Sequence, residues 1–139
     1  METIVIYYSK YGKTRKLVES LSGIDSYSVS CSQPIDLSLY QFFIFLCPTY
    51  GDEELPLEME DFIRNLNLDN KKYCICELGN YFGLDELEWG AKKIIESELT
   101  SRNWKEFYKN LSLDSLPKID KPKFESWKKG LYHKINSHV

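Results

Sequence analysis

Three stretches of the chain are apolar with almost no alternation: Thr3–Tyr8 (TIVIYY), Phe42–Cys47 (FFIFLC) and Tyr73–Leu78 (YCICEL). Short runs of this kind, rich in β-branched and aromatic residues, are expected of strands covered on both faces. Between them the period lengthens. Leu17, Val18 and Leu21 fall on one side of a helix over Thr14–Leu21, and Met59, Phe62, Ile63 and Leu66 do so over Leu57–Leu66. Leu87, Ala91, Ile94 and Ile95 predict a longer helix over Leu84–Leu99, and Phe124, Trp127, Leu131 and Ile135 predict a closing one over Lys123–Asn136. Ser26–Ser30 (SYSVS) alternates like an edge strand, and Glu106–Leu113 is read as holding the last strand. Cys31–Gln41 is too short for a full helix, so the second crossover is expected to be a loop with a turn of helix.

Strands alternating with helices predict a five-stranded doubly wound parallel sheet with helices on both faces, one α/β domain over residues 1–139. No repeat, low-complexity tract or linker divides it. Ligands of such sheets bind at the carboxyl ends of the strands, where the strand order reverses. Three loops therefore carry the functional information: Ser9–Thr14, Pro48–Pro56 and Gly79–Gly83.

Composition narrows the setting. With 139 residues and 42% apolar content the chain can bury a sizeable core. No apolar run approaches membrane-spanning length, and the Met-Glu-Thr-Ile-Val start lacks the features of a secretory signal. Four cysteines without a C-x-x-C, and two His near the end of the chain, make neither a zinc pattern nor a disulfide framework. A cytoplasmic, reduced protein without membrane association is the expectation. Cys74 and Cys76 share one strand face and read as small core residues. Residues 1–100 hold 9 Lys/Arg and 17 Asp/Glu, a net of −8; the remaining 39 hold 9 and 4, a net of +5, giving −3 in all. A weakly acidic whole argues against nucleic-acid binding, and the basic end reads as a solvated helix face.

The first loop, in YYSKYGKT (Tyr7–Thr14), ends in Gly-Lys-Thr and tempts a nucleotide triphosphate reading. A Walker A loop needs G-x-x-x-x-G-K-[ST], and its first glycine would fall on Tyr7 inside the strand. The turn is too short to wrap a triphosphate. What remains are the Ser9 and Thr14 hydroxyls, the backbone N–H groups of Lys10, Tyr11, Gly12, Lys13 and Thr14, and a glycine at Gly12 that lets the backbone close without a Cβ. The segment reads either as a capped helix start or as a site for one terminal phosphate.

S-K-Y-G-K-T after an apolar strand resembles the phosphate loop of flavodoxins, T/S-x-T/S-G-x-T, which holds the phosphate of flavin mononucleotide (FMN); Tyr11 departs from the usual hydroxyl residue. The second loop, Cys47–Pro56 (CPTYGDEELP), is similar to the flavodoxin loop P-T-x-G-D-x-E-L-P beside the isoalloxazine ring. The resemblance implies contacts from Pro48, Thr49, Tyr50, Gly51, Asp52 and Glu53. Tyr50 would lie against the ring, the Gly51 carbonyl would meet the flavin N5–H of the semiquinone, and Glu53 would bond the pyrimidine edge. The third loop, ELGNYFGLDELEWGA (Glu77–Ala91), looks like G-x-G-D-x-x-Y, with Glu77 where the first glycine usually stands and Asn80 for the aspartate. Leu78, Gly79, Asn80, Tyr81, Phe82 and Gly83 are implied there, with Tyr81 favoured over Phe82 and Leu84 as the outer stacking residue. SLPKIDKPKFESWKKGL echoes the flavodoxin ending, and the length matches the short-chain form, whose strand order is 2-1-3-4-5.

No nucleophile–base pair stands out, so the chemistry would belong to the flavin and the protein would have no substrate reaction of its own. The implied role is a low-potential one-electron carrier. A flavin- or iron–sulfur-containing reductase and acceptor proteins would dock a monomer at its acids (Asp52, Glu53, Glu54, Glu58, Glu60, Asp61, Asp85, Glu86 and Glu88). Two alternatives remain: the flavodoxin-like activator of manganese ribonucleotide reductases, and a flavin-free binding module.

Overall fold

The structure, a computed structural model, describes residues 1–49, 55–79, 90–115 and 118–138. Strands β1 (Thr3–Tyr7), β2 (Asp25–Ser28), β3 (Phe42–Pro48), β4 (Lys72–Gly79), β5 (Lys105–Glu106) and β6 (Leu111–Asp114) form one sheet, every pairing parallel. The order is β2-β1-β3-β4-β5, and β6 pairs β4 beyond β5 along the same edge. The fifth position of the predicted 2-1-3-4-5 sheet is thus filled by one strand in two pieces.

Continuous apolar runs are explained by the two faces of this sheet. Ile4, Ile6, Phe43, Phe45, Tyr73 and Ile75 point to the side covered by helices α2 (Leu57–Arg64) and α3 (Ala91–Thr100). Val5, Phe42, Ile44, Leu46, Cys74 and Cys76 point to the side covered by α1 (Lys13–Glu19) and α4 (Lys121–Asn136). Each strand alternates faces with period two, so burial on both sides demands apolar residues at every position. Trp104 and Trp127 close the two cores and donate their indole N–H groups to the Leu68 and Lys109 carbonyls, which lets them be buried without an orphaned donor.

The edge strand breaks because four residues, 107–110, stand opposite two in β4: Tyr73 pairs with Glu106, whereas Cys76 pairs with Leu111. The second crossover, residues 29–41, holds no helix, only two turns, closed by the Cys31 N–H on the Ser28 carbonyl and by the Tyr40 N–H on the Leu37 carbonyl. Helix α3 starts at Ala91 with Gly90 as its N-cap; the Leu84–Trp89 part of the predicted longer helix lies outside the described residues. No described helix is long and apolar enough to cross a membrane.

Candidate functional site at the carboxyl ends of the strands

Because all strands run one way, β1, β3 and β4 end on the same edge of the sheet, and backbone bonds draw those ends together. The Tyr8 N–H donates to the Leu46 carbonyl at 3.1 Å, and the Thr49 N–H to the Leu78 carbonyl at 2.7 Å. Ser9, Pro48, Thr49, Leu78 and Gly79 therefore sit side by side at the point where the chain turns in opposite directions from β1 and β3. Tyr50, Gly51, Asp52, Glu53, Asn80, Tyr81, Phe82, Gly83 and Leu84 lie outside the described residues.

In the first loop, Ser9 supplies the cap that Gly12 cannot. Its Oγ accepts the Gly12 N–H at 3.1 Å and the Arg15 N–H at 3.2 Å. In both bonds the hydroxyl accepts, so its own proton remains to be donated. Gly12 adopts φ +92°, a left-handed turn that side chains rarely enter, and a Cβ there would meet no atom within 4 Å. The space beside Gly12 is thus open. Two cations flank it. Lys13 Nζ donates to the Ser115 carbonyl at 3.0 Å, tying the loop to the end of β6, and Lys10 Nζ stands 5.3 Å from the centroid of the Tyr11 ring. Tyr11 itself is 83% exposed, whereas Thr14 is buried on the core side of α1. Of the amides expected to face a phosphate, that of Gly12 is bonded to Ser9. A hydroxyl donor, a Cβ-free turn and two lysines fit a phosphate in charge and in kind.

On the β4 side, Glu77 stands out in the sequence only as a departure from glycine. The structure gives it a fully buried place with three hydrogen-bond donors around its carboxylate. Ser112, Ser115 and Gly90 also belong to this edge, and no motif marks them in the sequence. Ser115 donates both its N–H (2.9 Å) and its hydroxyl (3.2 Å) to the Gly79 carbonyl, fixing the last described residue before the third loop. One signal was available: a glutamate inside a run as apolar as YCICEL must find hydrogen-bond partners.

The burial that shapes this edge also sets the thiols. Burial pushes the Cys47 thiol well above its ordinary range, with the Glu77 carboxylate adding to it, and Cys76 is raised by the same two causes. These sulfurs act as packing groups and not as nucleophiles. Among the described residues no group of three His, Cys, Asp or Glu side chains could hold a metal.

These features define an open doubly wound α/β domain with its candidate site at the switch point between β1 and β3. More narrowly, the fold is that of the flavodoxins. Superposed on the oxidised flavodoxin 1 of Bacillus cereus, the chain gives a TM-score of 0.76 at 17% identity, covering 100% of this chain and 99% of the other. A Streptococcus pneumoniae flavodoxin gives 0.76 at 21% identity over 99% of both chains. A Fusobacterium nucleatum flavodoxin variant bound to flavin mononucleotide gives 0.73 at 16% identity, covering 100% and 98%. No family model matches the sequence, and no curated protein matches it.

Proposed function

We propose that the protein binds one FMN non-covalently at the carboxyl ends of β1, β3 and β4 and carries single electrons from a reductase to acceptor proteins. The observation that carries this reading is the Ser9–Thr14 turn: a left-handed Gly12 that faces open space, an available Ser9 proton and two lysines, placed at the switch point of a flavodoxin fold. A flavin bound there would supply one-electron chemistry at its ring. The chain's own residues would do the rest. Ser9 would donate to a phosphate oxygen, and Lys10 and Lys13 would offset its charge. Gly12 would keep Cβ atoms out of the turn, and Thr49 and Gly79 would fix where the ring-side loops leave the sheet. A single phosphate suits a turn of this length, which favours the mononucleotide over the dinucleotide.

Partners would meet the acids of α2. Glu58 and Asp61 are exposed there, whereas Glu60 is engaged by Arg64 at 2.6 Å. A basic reductase steered by these carboxylates would lose rate as salt rises.

The experiment is a binding series on the flavin-free protein with FMN, riboflavin and FAD. FMN should bind most tightly, and Ser9→Ala with Lys13→Ala should bring FMN down toward riboflavin while leaving riboflavin nearly unchanged. Equal affinity for FMN and riboflavin in the parent would remove the phosphate site from the account.

A further inference from the structure

We propose that Glu77 is a positioning residue: its buried carboxylate fastens the departure point of the second loop and the return point of the third to the edge of the sheet. The proposal rests on the flavin reading above, because those two loops are the ones that would border the ring.

Glu77 stands in β4 with no exposed surface, flanked by Cys47 of β3 and Ser112 of β6. An isolated carboxylate in such a place is strongly disfavoured unless its oxygens are hydrogen-bonded. Here both are. Oε1 accepts the Ser112 hydroxyl at 2.8 Å, and Oε2 accepts the Lys92 N–H at 2.8 Å and the Thr49 hydroxyl at 3.0 Å. Thr49 Oγ1 in turn accepts the Ala91 N–H at 3.3 Å. Three donors converge on two oxygens, which suits an ionised carboxylate, an acceptor-only group; a glutamine would turn an N–H₂ toward one of those donors.

The partners reveal the task. Thr49 is the first residue after β3, where the second loop leaves the sheet. Lys92 lies in the first turn of α3, just after the third loop returns through Gly90. A leucine at position 77 would fill the core as well but would hold neither loop. Gly90 completes the fit: its φ of +110° admits no ordinary side chain, and a Cβ there would stand 3.2 Å from Glu77 Oε2. The carboxylate also sits at the start of a ten-residue helix, where the exposed N–H ends favour negative charge.

The test uses Glu77→Gln, with Thr49→Val as a second variant that keeps the buried carboxylate and removes one loop-side donor. In the flavin-free protein, amide exchange at Ala91 and Lys92 should quicken in Glu77→Gln while the core of β3 stays protected. With flavin, the dissociation constants for FMN and riboflavin should both rise about ten-fold, their ratio unchanged, since the phosphate turn is untouched. Thr49→Val should move both in the same direction by less. Unchanged exchange at Lys92, unchanged affinity for both flavins, or a loss confined to FMN would each overturn the positioning role. If Glu77→Gln does not fold, Thr49→Val decides: it removes the acceptor of the Ala91 N–H, so exchange at Ala91 should quicken and both flavin affinities should fall together, and no change in either would overturn the positioning role. A parent that binds neither flavin would overturn the reading of function, and the exchange result would then decide the anchoring by itself.

Discussion

Asn110 Oδ1 accepts the N–H of Ile75 at 2.8 Å, closing the gap that opens in the edge strand between β5 and β6. Ile75 is fully buried, so without Asn110 its amide would face neither water nor a backbone partner. The same side chain donates through Nδ2 to Glu96 Oε1 at 2.9 Å, tying α3 to the sheet edge. Asn110→Ala should therefore cost about 1–3 kcal/mol, the range for orphaning a buried donor. Urea unfolding should show a lower midpoint at an unchanged slope. A midpoint equal to the parent's would mean another group takes over the Ile75 amide.

Glu96 should make stability depend on pH just above the ordinary glutamate value of 4.5. Burial raises its carboxyl above that value, against Lys92, which draws it down. A carboxyl raised on folding favours the protonated, folded form. Its stabilising contribution is present below the unfolded value and is lost as pH climbs through the raised one. Glu96→Gln keeps an oxygen for Asn110 Nδ2 and cannot ionise, so it should flatten this slope and leave the variant modestly more stable at neutral pH. Thermal melts at several pH values check it; parallel curves for parent and variant would contradict it.

Thiol chemistry should divide the four cysteines sharply. Cys31 is exposed, whereas Cys47, Cys74 and Cys76 are buried and raised well above the ordinary thiol range by burial. A thiol-exchange reagent should label Cys31 alone in the folded protein and all four after denaturation. Rapid labelling of a second site under native conditions would show that the sheet opens.

Gly90→Ala should destabilise by about 1–3 kcal/mol, because φ +110° with ψ −171° lies in a region that is essentially glycine-only. A drop of several degrees in melting temperature is expected for a chain of this size. No change would mean that the start of α3 relaxes around the added methyl.

Much of the fold was legible because TIVIYY, FFIFLC and YCICEL can be buried on both faces only in a covered parallel sheet. The break in the edge strand was not. Phe107 still packs on Phe42 at 4.7 Å between centroids, and Tyr108 still donates to the Trp127 carbonyl at 3.0 Å. The apolar pattern therefore runs on while the backbone leaves the ladder, and Asn110 conceals the gap with a side-chain amide that looks like any loop asparagine. At the site, Ser9 and Gly12 could be read from local turn chemistry. Glu77 could be recognised as anomalous, but its partners Thr49, Lys92 and Ser112 lie 28, 15 and 35 residues away, and only the folded sheet assembles them. Ser115 escaped for the same reason: it meets Lys13 across 102 residues.

Reductive titration of the FMN-loaded protein tests most directly the proposal that it carries single electrons on FMN. Stepwise anaerobic reduction, followed by the visible spectrum and by electron paramagnetic resonance, should resolve two one-electron steps with a radical signal at the midpoint. The second step should lie at a lower potential than that of free flavin. A single two-electron step without a radical, or a protein that retains no FMN, would contradict the account.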